Sequence, residues 1–232
     1  MSVEIVPVVG IGEVTDTDDI ASVITSALAA MNVGLRDRDV VVVTHKIVSK
    51  AEGQVRTIES EEAYRALVAG EAVEILRRRG DLVITKTRHG FICANAAVDR
   101  SNVPQGWAVL LPDDPDASAH RIRLRLQRDH DVAIGVVITD TFGRAWRRGL
   151  CDVAIGVSGI PAILDLRGGR DMQGRVLEVT EVAVADEIAA AADLAMGKAS
   201  GIPVAIVRGL DLPAVEGRAR DLVRTASEDM FR

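Results

Sequence analysis

Aromatic side chains are scarce in this chain: three Phe, two Trp and one Tyr make up 3% of 232 residues. The interior must therefore be filled by Val, Ile, Leu and Ala, and the stacked aromatic platforms that hold single-stranded nucleic acid are not available. Cysteine is limited to Cys93 and Cys151. Two are too few for a disulfide framework, and no His or Cys stands at zinc-finger spacing, so both read as buried thiols of a reducing compartment. No apolar run approaches the roughly 18 residues of a membrane span, and residues 1–7 lack a basic start before an apolar stretch. The expectation is a soluble, cytoplasmic protein with no membrane partner. Positive charge is not in excess either. A net charge of -6 disfavours nonspecific contact with polyanions, so no nucleic-acid partner is expected and only local basic clusters matter.

What is present is 48% hydrophobic residues in 24.8 kDa, enough for one large domain or two intimately joined subdomains. Residues 3–9 read as a strand closed by Gly10-Ile11-Gly12. Acids at 16–19 then open a helix spaced by Ile20, Val23, Ile24, Leu28 and Met31. The valine run at 39–44 predicts a strand buried on both faces, which exits at His45-Lys46. A charged helix is expected over 60–79, a hairpin over 82–86 and 91–95, a polar loop over 99–104 and a strand over 107–111. A helix holding Leu124 and Leu126, strands at 131–139 and 152–163, and a loop at 168–174 follow. An alanine-rich helix over 180–196, a strand over 203–207 and a charged helix from about 215 to 232 complete the pattern. Strands and helices mix without a strict strand-helix-strand repeat, and no Pro, Gly or Ser-rich linker divides the chain. The class expected is α+β with mixed sheets.

The chemistry concentrates in Ile138-Thr139-Asp140-Thr141-Phe142-Gly143-Arg144-Ala145-Trp146-Arg147-Arg148-Gly149. A carboxylate and a hydroxyl lie there at the end of an apolar run, with three arginines just beyond. Asp99 lies in a second polar loop. Oxygen ligands from two loops with no His or Cys nearby suit Mg2+ or Mn2+ bridging a phosphate rather than zinc. The alternative is that Asp140 caps a turn and Asp99 forms an Asx-turn. Arg144, Arg147 and Arg148 have the fork geometry to clamp phosphates or carboxylates, or else form a solvated basic face. Lys46 and Lys50, in a strand-exit loop, can neutralise phosphates as point charges; surface lysines look the same. His45 reads as a general base or a backbone hydrogen-bonding partner. Gly10-Ile11-Gly12 has Thr15 where a dinucleotide fingerprint has its third glycine, and Gly197-Lys198 lacks the flanking residues of a P-loop, which excludes a Walker-type NTPase. Asp186 and Glu187 either face the site or lie exposed. No Ser-His-Asp elbow or reactive-cysteine pattern is present, so covalent catalysis by the protein is not expected.

Five motifs occur in order: Val43-Thr44-His45-Lys46-Ile47-Val48-Ser49-Lys50-Ala51-Glu52-Gly53, Val98-Asp99-Arg100-Ser101-Asn102-Val103, Asp114-Pro115-Asp116-Ala117-Ser118-Ala119, the 138–149 segment, and Val184-Ala185-Asp186-Glu187-Ile188-Ala189-Ala190. Together they closely resemble the coenzyme F-420 gamma-glutamyl ligases over about residues 3–210. The resemblance implies an intertwined homodimer of α+β chains, with GTP bound beside Mg2+ or Mn2+ and K+ as a further cation. It also implies a reaction, GTP-dependent addition of L-glutamate to the deazaflavin precursor F-420-0 and then of further gamma-linked glutamates through an acyl phosphate. Asp99 and Asp140 match the family's metal-binding aspartates, and Thr141 matches a further metal contact. Lys50 and Asn102 match nucleotide contacts, and Ile11, Gly12, Glu13 and Val14 align with a GTP-contacting stretch. So does the segment Met196, Gly197, Lys198, Ala199, Ser200, Gly201 and Ile202, and His45 and Lys46 belong with the nucleotide set. His45 stands where a small hydroxyl residue is common, and Lys198 where some members place an acidic metal ligand. Asp140, Lys50 and Arg144 are the expected catalytic set. Some relatives continue into a nitroreductase-like domain, so this chain is expected to be a stand-alone ligase or an excised ligase domain. A metal-dependent phosphohydrolase and a non-catalytic nucleotide-binding module are the competing readings.

Overall fold

A computed structural model of the chain describes residues 2–230. Its elements run β1 (Glu4–Val8), α1 (Ile20–Met31), β2 (Val40–Thr44), α2 (His45–Ala51), β3 (Val55–Thr57), α3 (Glu61–Glu71), β4 (Ala72–Arg79), β5 (Leu82–Thr87) and β6 (Ile92–Ala94). They continue through β7 (Trp107–Val109), α4 (Pro115–His130), β8 (Gly135–Arg144), β9 (Arg147–Ser158), β10 (Leu164–Asp165), β11 (Glu181–Val182), α5 (Val184–Met196) and β12 (Val204–Arg208). Short 3-10 turns lie at Asn95–Ala97 and Ala219–Leu222.

The centre is a five-stranded mixed sheet in the order β1-β12-β2-β8-β9, in which only β2 and β8 run parallel. Consecutive residues Val40 to Val43 and Val136 to Ile138 are buried, so both faces of the sheet are covered, as the valine run predicted. Helices α1 and α4 pack on each other and on the sheet, while α5 touches all five of its strands. Ala185, Ala189 and Ala192 in α5 are fully buried, and their small side chains let the helix lie close to the strands. Close approach recurs where β9 passes the start of α4. A Cβ on Gly156 would meet the Pro115 carbonyl oxygen at 2.4 Å.

A second, smaller apolar cluster joins Val68, Val83, Ala96, Val98, Ala108 and Leu110, with Tyr64 and Leu67 packed against it. It is built from α3, the three-stranded sheet β4-β5-β6 and the β3-β7 pair. The class is α+β, as expected.

Several expected boundaries move. The helix over 60–79 ends at Glu71, and 72–79 is β4, paired antiparallel with β5. The Glu- and Arg-rich sequence suits a helix, but cross-strand pairing decides. The strand expected from 131 starts at Gly135, because Asp131 adopts a left-handed conformation and ends α4. The strand at 152–163 is displaced to Arg147–Ser158, and the alanine-rich helix begins at Val184 rather than 180. The helix expected over 215–232 is a single 3-10 turn at Ala219–Leu222, and its last two residues lie outside the described part. Among the described residues no helix is long and apolar enough to cross a membrane.

Candidate functional site

Topology explains where the site forms. The carboxyl ends of the parallel pair β2 and β8 share one edge, the usual place for a ligand crevice in such sheets. Strand β12 runs antiparallel to β2, so the loop entering it arrives at that same edge, where Thr44 N donates to Pro203 O at 2.9 Å. Strand β1 runs antiparallel to β12, so the loop leaving Val8 arrives there too. These four chain segments form most of the wall of a cleft of about 680 Å3.

From the first loop come Ile11, Gly12 and Glu13; from β2 and α2 come Thr44, His45, Lys46 and Lys50. The expected strand-exit loop is in fact helix α2. Residues four apart on a helix share a face, so Lys46 and Lys50 stand one turn apart along the cleft. His45 and Ser49 pair likewise on a buried face, with Nδ1 3.2 Å from the hydroxyl. Strand β8 contributes Thr139, Asp140 and Thr141, the end of α5 contributes Met196, and the turn after it contributes Gly197, Lys198, Ala199, Gly201 and Ile202. Asn102 enters from the loop of the smaller apolar cluster.

Carboxylates and ammonium groups interlock here. Lys50 Nζ donates to Glu13 Oε1 at 2.6 Å and to Asn102 O at 3.1 Å, tying three segments together. Lys46 Nζ lies 2.6 Å from Asp99 Oδ2, while Asp99 Oδ1 accepts from Ser101 N at 2.6 Å. Asp99 does not itself line the cleft; it forms an Asx-turn and is the counterion of Lys46, which does. Asp140 Oδ1 accepts from Thr141 N at 2.7 Å and lies 3.3 Å from His45 Nε2. Buried His45 Nε2 thus faces this carboxylate without a regular hydrogen bond. Burial alone would raise the Asp140 pKa, but His45, the Thr141 amide and Lys46 outweigh it and hold the carboxyl below its ordinary value. Asp99 follows the same pattern: burial pushes it up, and Lys46 with the Ser101 donors brings it below the usual range.

The 138–149 motif is an antiparallel hairpin rather than a strand exit. Strand β8 continues to Arg144, and Ala145 and Trp146 turn it into β9, with Trp146 at φ 57° supplying the left-handed position. Asp140 thus lies within the strand opposite Val153, and Thr141 lies opposite Asp152. Asp152 is a site residue that sequence reading missed. Its Oδ1 accepts from Thr141 Oγ1 at 2.6 Å and its Oδ2 from Thr139 Oγ1 at 3.0 Å. An aspartate set between Leu150-Cys151 and Val153-Ala154-Ile155 was the available signal. Asp193, also missed, lines the cleft one turn before the end of α5.

Some expected residues lie elsewhere. Arg144 does not line the cleft. Four extended residues past Asp140, about 13 Å along the strand, its guanidinium donates to Arg148 O at 3.0 Å near the hairpin tip. Arg147 and Arg148 are exposed beside it. Val14 is buried in the main core, and Ser200 folds its own loop by bonding to Met196 O and Gly197 O. Asp186 faces β9, accepting from Ala154 N at 2.8 Å, and Glu187 is exposed. The 114–119 motif begins α4 beside a second cavity of about 600 Å3. There Asp114 caps the helix and Asp116 Oδ1 accepts from Val157 N and Ala219 N.

The donor set bears on a divalent cation. Among the described residues no three His, Cys, Asp or Glu side chains meet as a ready-made metal cage. Mg2+ does not need one, since it commonly takes one or two carboxylates and completes its shell with phosphates and water. The Asp140 carboxylate and Thr141 hydroxyl at the cleft wall, with Asp99 across Lys46, supply hard oxygens of that kind. They fit a metal brought in with a phosphorylated ligand.

Residues 9–209 match the family model described as F420-0:Gamma-glutamyl ligase. The chain is 43% identical to the coenzyme F420:L-glutamate ligase of Methanothermobacter thermautotrophicus, with 100% of this chain and 98% of that protein covered. It is 42% identical to the Methanopyrus kandleri protein of the same name (93% and 92% covered), and 41% identical to that of Methanocaldococcus jannaschii (85% and 86% covered). A match of that extent, holding every cleft segment within its bounds, makes this chain a member of the F420-0:gamma-glutamyl ligase family.

Proposed function

We propose that the protein is a ligase that joins L-glutamate to F420-0 and extends the product with gamma-linked glutamates, consuming GTP. The observation that carries this reading is the convergence on one cleft of Glu13, Lys46, Lys50, Asn102, Asp140 and Thr141, drawn from four separate segments. A triphosphate there meets two ammonium groups from α2 on one side and the Asp140–Thr141 edge of β8 on the other.

The γ-phosphoryl group passes from GTP to a substrate carboxylate, releasing GDP and leaving an acyl phosphate. The glutamate amine then attacks the activated carbonyl carbon and inorganic phosphate leaves as the amide forms. Lys46 and Lys50 neutralise phosphate charge and orient the triphosphate, and this positioning with electrostatic stabilisation is the protein's main contribution. Asp140, Asp99 and Thr141 would hold Mg2+ or Mn2+, which when bound supplies charge neutralisation at phosphate oxygens. Thr139 and Thr141 lock the neighbouring Asp152, and His45 packs behind Asp140. A homodimer is part of this proposal. Trp146 at 81% exposure and Leu150 at 65% stand among the arginines of the hairpin tip and give a second copy apolar surface to cover.

The test incubates the protein with F420-0, GTP, L-glutamate and Mg2+ or Mn2+ and follows the coenzyme mass. Added glutamyl masses, dependent on GTP and absent with ATP, are expected. Phosphate release that needs no glutamate would overturn the ligase reading in favour of a phosphohydrolase, and tight GTP binding without turnover would overturn it in favour of a binding module.

A further inference from the structure

The cleft holds three lysines, and each ammonium group sits on an oxygen that the site would otherwise offer to a ligand. Lys46 Nζ is 2.6 Å from Asp99 Oδ2, Lys50 Nζ is 2.6 Å from Glu13 Oε1, and Lys198 Nζ is 2.8 Å from Thr141 Oγ1. The Lys46 pair is the more enclosed of the two carboxylate pairs, because Asp99 is 26% exposed against 73% for Glu13, while the two lysines are alike at 12% and 10%. Lys46 also acts on both Asp99 and Asp140, and Asp99 has its other oxygen committed to Ser101 N. Mg2+ binds carboxylate oxygen at about 2.1 Å. An ammonium nitrogen hydrogen-bonded to the same oxygen competes with such an ion for its lone pairs and cancels part of its charge.

We infer that Lys46 makes metal loading conditional on nucleotide, by holding Asp99 until phosphate oxygens draw its ammonium group away. This rests on the metal and nucleotide reading of the cleft proposed above. Free of nucleotide, the carboxylate pair carries its own counterion and has little affinity for a divalent cation. When phosphates enter, Lys46 exchanges a carboxylate for a phosphate partner, which as a flexible point charge it can do by rotating its stem. Asp99 is then released to a cation arriving with the same phosphates. The gain is reciprocal: if nucleotide raises metal affinity by some factor, metal raises nucleotide affinity by the same factor. The device would keep the cleft free of adventitious divalent ions while no phosphoryl donor is bound.

The distinctive consequence is that deleting this cationic side chain strengthens metal binding. Mn2+ binding is measured by the loss of the free-ion electron paramagnetic resonance signal, on protein without nucleotide and with β,γ-imido-GTP, the loss caused by the same analogue without protein being subtracted. Wild type should bind Mn2+ weakly alone and at least about tenfold more tightly with the analogue. Lys46→Gln should bind Mn2+ alone about tenfold more tightly than wild type, and the analogue should then add little. Lys46→Met is run beside it, with thermal melts of both, so that a folding failure in one does not decide the outcome. Lys50→Gln, whose partner is Glu13, controls for the general removal of positive charge and, in the absence of nucleotide only, should leave affinity for Mn2+ alone within about twofold of wild type. No gain in either Lys46 variant, or an equal gain in Lys50→Gln, overturns the inference while leaving the site reading intact. Wild-type Mn2+ binding by Asp140→Asn in the presence of the analogue overturns the site reading itself.

Discussion

Asp39 and Arg208 form a buried bidentate pair that joins the start of β2 to the end of β12. Arg208 Nε donates to Asp39 Oδ1 at 2.9 Å and Nη2 to Oδ2 at 2.8 Å, with a further bond from Nη2 to Gly34 O at 3.0 Å. Asp39 is 1% exposed and the Arg208 side chain 12%, so water screens the pair little. Unit charges about 4 Å apart at an effective dielectric near 20 attract by about 4 kcal/mol, and removing one partner of a buried pair costs about 3–5 kcal/mol. Arg208→Met should therefore destabilise the fold by about 3–5 kcal/mol, a large share of the roughly 5–15 kcal/mol of a typical domain. For a chain of this size that lowers Tm by roughly 6–20 °C. Since the penalty comes from a stranded carboxylate, Asp39→Asn combined with Arg208→Met should recover at least half of it. The amide introduced by Asp39→Asn still offers an oxygen to Arg36 N, which in the wild type donates to Asp39 Oδ2 at 2.8 Å. Urea titrations of wild type, of each single variant and of the double variant measure this directly. The pair lies at the end of the sheet away from the cleft, so nucleotide affinity well below Tm should be unchanged. An Arg208→Met loss below about 1 kcal/mol, or a double variant no more stable than Arg208→Met, would refute the reasoning.

Asp186→Asn should hold or slightly raise stability at pH 7. Burial raises the Asp186 pKa despite the bond from Ala154 N, so its contribution is full below the ordinary carboxylate pKa and is lost as pH rises through the folded value. The amide keeps the acceptor without that loss, whereas Asp186→Ala should cost about 1–3 kcal/mol by stranding the Ala154 amide; denaturant titrations at pH 5 and 7 compare them. Asp99 and Asp140 have the opposite sign. Their depressed pKa values contribute stability above the ordinary carboxylate range that is lost only as pH falls through the folded values, so Asp140→Asn should flatten the acid limb of the stability curve. Cys93, whose thiol burial pushes up to about 12, should resist iodoacetamide at pH 8 in the folded protein and react fully in urea, as peptide mass mapping would read. Gly156→Ala should destabilise by about 1–3 kcal/mol, because its Cβ would meet the Pro115 carbonyl at 2.4 Å and force α4 off the sheet. An unchanged melting curve would contradict that contact.

Residue types and their order determined a good deal of this protein. The valine run at 40–43 required a strand covered on both faces, the alanines of α5 a close-packed helix, and the ordered motifs the family. Short-range chemistry is legible because it depends on neighbours in the chain. The Asx-turn at Asp99 and the cap at Asp114 are examples.

Tertiary structure alone decided which of the marked residues meet. Helix α2 replaced a loop and put Lys46 and Lys50 on one face, and cross-strand pairing turned the charged 72–79 segment into β4. The β8–β9 hairpin carried Arg144 away from the cleft and set Asp152 against Thr141, eleven residues away. Glu13, Lys50 and Asn102 share hydrogen bonds across as many as 52 positions of sequence. Contacts of that range depend on strand order and register, which arise from how all the buried surfaces fit at once, so residue spacing along one segment cannot specify them.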